Sequence, residues 1–281
     1  MKRENSSIST EGTKFNEDYP VCFSNLFGTD IGVQIKKDSR MKTNKFPGRK
    51  SIALLLDPDK AKGDSLQKVI KSAIESRTDY IFAGGSLTFT SIDNLISEIR
   101  KLCSIPVILF PGNLLQLTHK ADVILLLSLI SGRNPELLIG NHVIAAPYLK
   151  DVKEKLMSVG YILISCGNKT SVEYISQTEA IPSDKPEIAV ATAIAGEMLG
   201  LQMIYLEAGS GATMPVPVSL VRAVRENISA PLAVGGGIKN SSEVEEIFNA
   251  GADLVILGNG CEKNPELLSE ACRVRDKIRS H

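Results

Sequence analysis

Residues 232–260, LAVGGGIKNSSEVEEIFNAGADLVILGNG, contain two short apolar runs, Leu232 to Val234 and Leu254 to Leu257. The first breaks at Gly235, Gly236 and Gly237, a helical segment follows, and the second ends at Gly258, Asn259 and Gly260. Both breaks fall where a strand hands over to a helix. Glycine takes φ > 0 there and, lacking Cβ, lets backbone N–H groups come close to a bound group. Beside a helix N-terminus those N–H groups and the positive end of the helix dipole hold a phosphate dianion. A single GGG reads equally well as a tight turn. The repetition of the arrangement after the next strand favours phosphate.

The same strand-to-helix alternation runs back along the chain. SIALLL (51–56) is a strand ended by Asp57, Pro58, Asp59 and Lys60, and Leu66, Val69, Ile70, Ala73 and Ile74 give Gly63 to Arg77 a helical stripe with Asp64 and Gln67 as a capping pair. Tyr80 to Ala83 is a second strand, ended by Gly84, Gly85 and Ser86, and Thr90 with Asp93 opens the helix after it. Pro106 to Phe110 is a third strand, but the segment from there to Lys120 is too short for a full helix. A fourth strand, Asp122 to Leu127, leads past Arg133 and the Asn134-Pro135 start signal into a long, broken helical stretch to about Ser158. Tyr161 to Ile164 is the fifth strand, and Cys166 to Lys185 is a polar excursion of lid length. A helix over Pro186 to Leu199 stops at Gly200, Met203 to Leu206 is the sixth strand, Val216 to Asn227 is helical, and Asn264 with Pro265 starts the last helix. Eight apolar strands, nearly all followed by helices, predict parallel pairing buried on both faces. The architecture expected is a closed (β/α)₈ TIM barrel over 51–281, modified at one shortened crossover. Two adjacent phosphate turns after the seventh and eighth strands favour it over an open doubly wound sheet.

Composition narrows the function. The chain has 281 residues, 43% hydrophobic and 23% charged, with 32 basic against 32 acidic side chains. Barrels of about 250 residues form one domain. A balanced charge gives no electrostatic case for nucleic acid, and the absence of Trp disfavours a base-stacking platform. Cys22, Cys103, Cys166, Cys261 and Cys272 include no CxxC pair and read as thiols of a reducing compartment, and His119, His142 and His281 are too dispersed for a metal cluster. No apolar run approaches the roughly 18 residues of a membrane span and the N-terminus is no signal peptide, so a cytoplasmic protein is expected. Residues 1–50 read as an extension: a polar stretch to about 14, a capping segment within 19–34, and a basic linker over 36–50.

In either architecture the working face lies at the carboxyl ends of the strands. The residues there are Asp57, Asp59, Ser86, Asn113, Arg133, Asn168, Tyr205, Glu207, Gly235 to Gly237, Gly258 and Asn259. An Asp and a Ser on neighbouring strands suit Mg²⁺, which takes few protein ligands and fills its shell with water and phosphate. Asp57 reads equally as a structural hydrogen-bond acceptor, and Ser86 as a helix cap. Glu207, within YLEAGSG (205–211), reads as a proton acceptor or as an exposed strand-end acid.

LLLDPDK (54–60), FAGGS (82–86), ILFPGN (108–113), ILLLSLISGRNP (124–135), YLEAGSG, VGGGIK (234–239) and LGNG (257–260) together resemble the geranylgeranylglyceryl phosphate synthase family and its heptaprenylglyceryl phosphate synthase relatives. The resemblance covers about residues 51–275. It implies a prenyltransferase joining a polyprenyl diphosphate, geranylgeranyl foremost, to sn-glycerol 1-phosphate with release of diphosphate. It also implies that Asp57 and Ser86 hold Mg²⁺, with Asp57 and Glu207 catalytic. Tyr205, Leu206, Glu207, Ala208, Gly209, Ser210 and Gly211 would form the glycerol-phosphate loop, and Gly236, Gly237, Gly258 and Asn259 the phosphate grip. Phe110, Leu127, Leu129, Ile130 and Tyr148 are available for an isoprenoid trough or for ordinary core. A homo-oligomer and transient contact with a membrane surface are further expectations of the resemblance, although no basic amphipathic anchor is present. Two other readings are a phosphosugar isomerase or synthase on the same barrel and a non-catalytic barrel that binds a phosphorylated metabolite.

Overall fold

The computed structural model describes residues 49–264 and 266–280. The N-terminal extension, its capping segment and all but the last two residues of the linker lie outside the described residues. Lys50 Nζ donates to Ala252 O at 2.7 Å, so the end of that linker is already attached to the folded body.

The strands are β1 (Ser51–Leu56), β2 (Tyr80–Gly85), β3 (Val107–Pro111), β4 (Val123–Leu129), β5 (Leu156–Ser165), β6 (Ile181–Pro182), β7 (Met203–Glu207), β8 (Leu232–Gly235) and β9 (Leu254–Leu257). The helices are α1 (Gly63–Glu75), α2 (Ile92–Leu102), α3 (Asn141–Leu149), α4 (Ser171–Ser176), α5 (Pro186–Met198), α6 (Val218–Arg225), α7 (Ser241–Asn249), α8 (Asn259–Lys263) and α9 (Leu267–Arg279). All strands except the two-residue β6 pair in parallel in the order β1-β2-β3-β4-β5-β7-β8-β9, and β9 pairs back onto β1. This is the predicted closed (β/α)₈ barrel.

Strand periodicity explains the continuous apolar runs. Ile52, Leu54 and Leu56 point outward into the layer under the helices, whereas Ala53 packs inside the barrel with Phe82, Ile108, Leu125 and Tyr205. Both faces are buried, so no polar alternation survives in sequence.

The shortened crossover is real and has a physical cause. Between β3 and β4 there is only a 3₁₀ turn at Leu114–Gln116. The buried Gln116 amide donates to Gly85 O at 2.9 Å and accepts from Gly112 N at 3.0 Å, which pins this extended segment to the end of β2. Among the described residues no full helix lies between β3 and β4.

Several local expectations are corrected. α1 is closed not by Asp64 and Gln67 but by Ser65 Oγ, which accepts from Lys62 N at 3.3 Å. Thr90 does not cap α2: its N–H, with that of Phe89, goes to the Asp59 carboxylate at 2.8 Å, while Asp93 faces Lys120 at 3.2 Å. Asp59 is thus a brace between two loops. The helical stretch after Pro135 is π at Glu136–Gly140, α through Leu149 and 3₁₀ to Lys155, and β5 begins at Leu156, earlier than Tyr161.

Candidate active site

At the carboxyl ends of the strands a cavity of 610 Å³ opens. It is lined by Asp57 after β1, Ser86 after β2, Tyr205 and Glu207 on β7, Gly209 to Gly211, Gly236 and Gly237 after β8, and Gly258 and Asn259 after β9. Residues up to 202 positions apart in sequence therefore meet at one opening, because the parallel barrel places every strand terminus on the same rim.

Glu207 sits deepest among the polar groups, 6% exposed, and is no strand-end acid in solvent. Its Oε1 accepts from Gly209 N at 2.8 Å and its Oε2 accepts from the Tyr205 hydroxyl. Tyr205 and Glu207 share a face of β7 because they are two residues apart. Burial pushes the Glu207 carboxyl above its ordinary range, and the two donors offset only part of that rise. The Tyr205 and Tyr161 rings meet edge to face at 5.2 Å, and Phe110 stands 5.8 Å from Tyr205 and 5.9 Å from Tyr161.

The glycines have specific reasons to be glycine. Gly236 has φ +82°, and a Cβ there would lie 2.4 Å from Glu207 Oε1. At Gly237, φ is +71° and a Cβ would lie 2.1 Å from Met214 O. No side chain fits between the acid and the turn that follows β8. Across the opening, Lys60 Nζ donates to Asn259 Oδ1 at 3.1 Å and Asn259 Nδ2 donates to Ser210 Oγ at 3.0 Å. These two bonds link the loops after β1, β7 and β9 around the glycine-lined space.

Asp57 is a structural hydrogen-bond acceptor with one oxygen to spare. Oδ1 accepts from Asp59 N at 2.9 Å, while Oδ2 faces Gly85, where an added Cβ would stand 3.4 Å away. Gly85 adds no side chain of its own beside the carboxylate, and Ser86 is the next residue lining the cavity. One carboxylate and one hydroxyl fit a cation such as Mg²⁺ that draws the rest of its ligands from water and phosphate. Among the described residues no cluster of three or more His, Cys, Asp or Glu is placed to hold a metal.

A second, mostly apolar cavity of 160 Å³ adjoins the first. The two share Gly85, Ser86, Phe110, Tyr161, Val172 and Ile175. The trough runs along β4, with Leu125 to Leu127 and Leu129 on one side and His142 and Ala145 of α3 on the other. His142 Nδ1 is buried without a hydrogen-bond partner, and burial, opposed by a backbone hydrogen bond at Leu126, lowers the imidazole pKa.

The sequence-chosen residues do not all gather here. Leu206 points outward into the layer under the helices, and Ala208 is buried, giving its N–H to Gly235 O at 3.0 Å. Asn113 lines the trough, while Arg133 and Asn168 line neither cavity. Phe110, Leu127 and Leu129 line the trough; Ile130 packs under the helices and Tyr148 stacks on His119 at 4.3 Å. Sequence reading missed Tyr161, Lys60, Lys239 and the α4 residues Ser171, Val172 and Ile175. Tyr161 was detectable as the inward residue of its strand, and α4 lies within the excursion of lid length after β5, its Val172 and Ile175 lining both cavities. Cys166, pushed up to about 12 by burial and then by the Glu207 and Glu173 charges, stays a thiol rather than a nucleophile.

A sequence model of the PcrB family matches residues 48–274. A geranylgeranylglyceryl phosphate synthase of Spirosoma linguale is 47% identical over 235 residues, 83% of this chain and 94% of its own length. Among solved structures, the wild-type GGGPS of Thermoplasma volcanium matches with a TM-score of 0.75 at 31% identity, over 83% of this chain and 94% of that one. The (S)-3-O-geranylgeranylglyceryl phosphate synthase of Thermoplasma acidophilum, solved in complex with sn-glycerol-1-phosphate, matches with a TM-score of 0.74 at 30% identity, also over 83% of this chain and 94% of that one.

Proposed function

The chain belongs to the PcrB family, and from that membership and its joined cavities we propose that it transfers a prenyl group from a polyprenyl diphosphate to sn-glycerol 1-phosphate. The observation that carries this reading is the continuity of a glycine-lined cavity holding Asp57 and Glu207 with an apolar trough through Phe110 and Tyr161. A phosphosugar has no use for the trough. A diphosphate on a long hydrocarbon needs both compartments.

The phosphate of glycerol 1-phosphate lies against the backbone of Gly236, Gly237, Gly258 and Asn259, at the loops that lead into α7 and α8. Its primary hydroxyl then turns towards Glu207. Each oxygen of that carboxylate carries one hydrogen bond and keeps a second acceptor site, so Glu207 receives the hydroxyl while Tyr205 and Gly209 hold it in place. A raised pKa makes it a better proton acceptor than an ordinary carboxylate. The C1–O bond of the prenyl diphosphate breaks, diphosphate leaves with the electron pair, the glycerol oxygen forms the new bond to C1, and its proton passes to Glu207. Phe110 and Tyr161, at the junction of the two cavities, offer ring faces to the positive charge that develops on C1. Asp57 and Ser86 would hold Mg²⁺, which when bound offsets the charge of the departing diphosphate.

The test is incubation of the full chain with radiolabelled sn-glycerol 1-phosphate, Mg²⁺ and a panel of prenyl diphosphates. Organic-extractable label is the expected result, abolished by chelation and by Asp57→Asn. Phosphate binding with no extractable product from any prenyl diphosphate would replace the transferase with a metabolite-binding barrel.

A further inference from the structure

Lys60 and Lys239 are the only Lys or Arg side chains that line the joined cavities among the described residues, and the acids there are Asp57 and Glu207. Glycerol phosphate and a prenyl diphosphate each bring negative charge into that space. The glycine turns offer backbone N–H groups, which carry dipoles but no net charge. A phosphate drawn out of water is held there more firmly with a cation beside it.

The backbone fixes where Lys60 starts. Lys60 N donates to Asp57 O at 3.1 Å and Ala61 N to the same oxygen at 2.9 Å, which closes a turn directly after β1. From that turn the side chain crosses the opening, and Nζ donates to Asn259 Oδ1, 199 positions away, at 3.1 Å. The Asn259 amide is oriented by a second bond, from Nδ2 to Ser210 Oγ at 3.0 Å. The ammonium therefore stands where the loops after β7 and β9 meet. The carboxylate of the adjacent Asp59 accepts from Phe89 N and Thr90 N, both at 2.8 Å, and so faces the loop after β2. Lys239 is directed elsewhere: its Nζ donates to Thr213 O at 2.5 Å, and Thr213 lines neither cavity.

The two ends of the turn after β1 face different compartments. Asp57 Oδ2 looks towards Gly85, and Gly85 and Ser86 line both cavities. Ser210 and Asn259 line only the glycine-lined one. The acid is thus on the side where a diphosphate joins its hydrocarbon, and the ammonium is on the side of the phosphate grip.

On the footing of the transferase reading, we propose that Lys60 binds the phosphate of sn-glycerol 1-phosphate and makes the site select a phosphorylated acceptor over free glycerol. A lysine suits this task because its ammonium meets a phosphate as a point charge on a flexible stem. Asn259, whose own backbone belongs to the grip, keeps that charge at the place where the phosphate arrives.

The experiment is calorimetric titration of sn-glycerol 1-phosphate into the full chain without prenyl diphosphate, on wild type, Lys60→Gln and Lys60→Arg. Lys60→Gln should weaken binding about tenfold to a hundredfold, the range of a hydrogen bond to a charged group, and should make what remains less sensitive to salt. Lys60→Arg keeps the charge and should recover most of the loss. Lys60 is exposed, so both variants should melt with the wild type. In steady-state assays the loss should fall on KM for glycerol phosphate rather than on kcat, and the KM for the prenyl diphosphate should not follow it. Unchanged affinity for glycerol phosphate in Lys60→Gln, or a rise in the KM for the prenyl diphosphate in its place, overturns the proposal. Calorimetry is read without transfer, so weakened binding in a chain that makes no ether product upholds Lys60 as a phosphate residue and removes the transferase reading. Transfer with unchanged binding removes Lys60 alone.

Discussion

Tyr205 gives its hydroxyl hydrogen bond to Glu207, two residues further along β7, and the rest of the candidate site is arranged around that buried acid. Glu207→Gln keeps the shape and removes the proton acceptor, so kcat should fall by about 10²–10⁴ with little change in affinity for glycerol phosphate. Unchanged kcat in steady-state assays would exclude Glu207 as the base.

The same acid sets a pH dependence. Its folded-state pKa is raised above 4.5 by burial, so its contribution to stability is fully present below 4.5 and is lost as pH rises through the raised value. Thermal melts of wild type against Glu207→Gln should therefore show the wild type losing ground steadily from pH 4.5 towards neutrality. Tyr205→Phe removes a bond that lowers the acid's pKa, and should move the acid limb of the pH–rate profile to higher pH.

Gly237→Ala places a methyl 2.1 Å from Met214 O at φ +71°. The backbone has to yield on both counts, at about 1–3 kcal/mol or more. Chemical denaturation should show that loss, and calorimetry should show phosphate binding weakened beyond what the stability change explains.

Asn259 joins Lys60 to Ser210 through exposed hydrogen bonds of 3.1 and 3.0 Å. Such bonds contribute less than about 1 kcal/mol to folding, so Asn259→Ala should barely move Tm. It should raise KM for glycerol phosphate about tenfold, a loss of about 1.4 kcal/mol at the phosphate. An unchanged KM would show that this bridge has no part in positioning the substrate.

At the opposite end of the barrel, Asp79 accepts from Ile52 N at 2.9 Å and from Arg275 and Arg279 at 2.7 Å each. The Arg275 side chain is 1% exposed, so Arg275→Met strips a partner from a buried carboxylate, at about 3–5 kcal/mol. Urea unfolding should record that loss while kcat stays at the wild-type level, since the network lies across the barrel from the site.

Much of the site was legible because strand ends and glycine turns are local chemistry. Asp57, Ser86, Glu207 and the glycines after β8 and β9 were placed by the alternation alone, since a parallel barrel carries every strand terminus to one rim. Leu206 was misgrouped by taking YLEAGSG as a block, although the period of two puts Tyr205 and Glu207 on one face and Leu206 on the other. Ile130 and Tyr148 were left open between trough and core because apolar character does not tell which surface a side chain covers; Ile130 joins the core and Tyr148 stacks on His119. The capping errors have different causes: at α1 a neighbouring hydroxyl, Ser65, takes the place expected of Gln67, whereas before α2 Asp59 reaches across 31 positions to Thr90 and local spacing holds no trace of it.

The sequence by itself determined the parallel barrel, its shortened crossover and the chemistry at the strand ends, because periodicity, glycine and chain length act within a few residues of each other. Only the tertiary structure decided that β4, α3 and α4 enclose a trough continuous with the acid's cavity, because that wall joins segments distant in sequence. Burial, which raises the Glu207 pKa, belongs to surfaces that form only when distant segments pack.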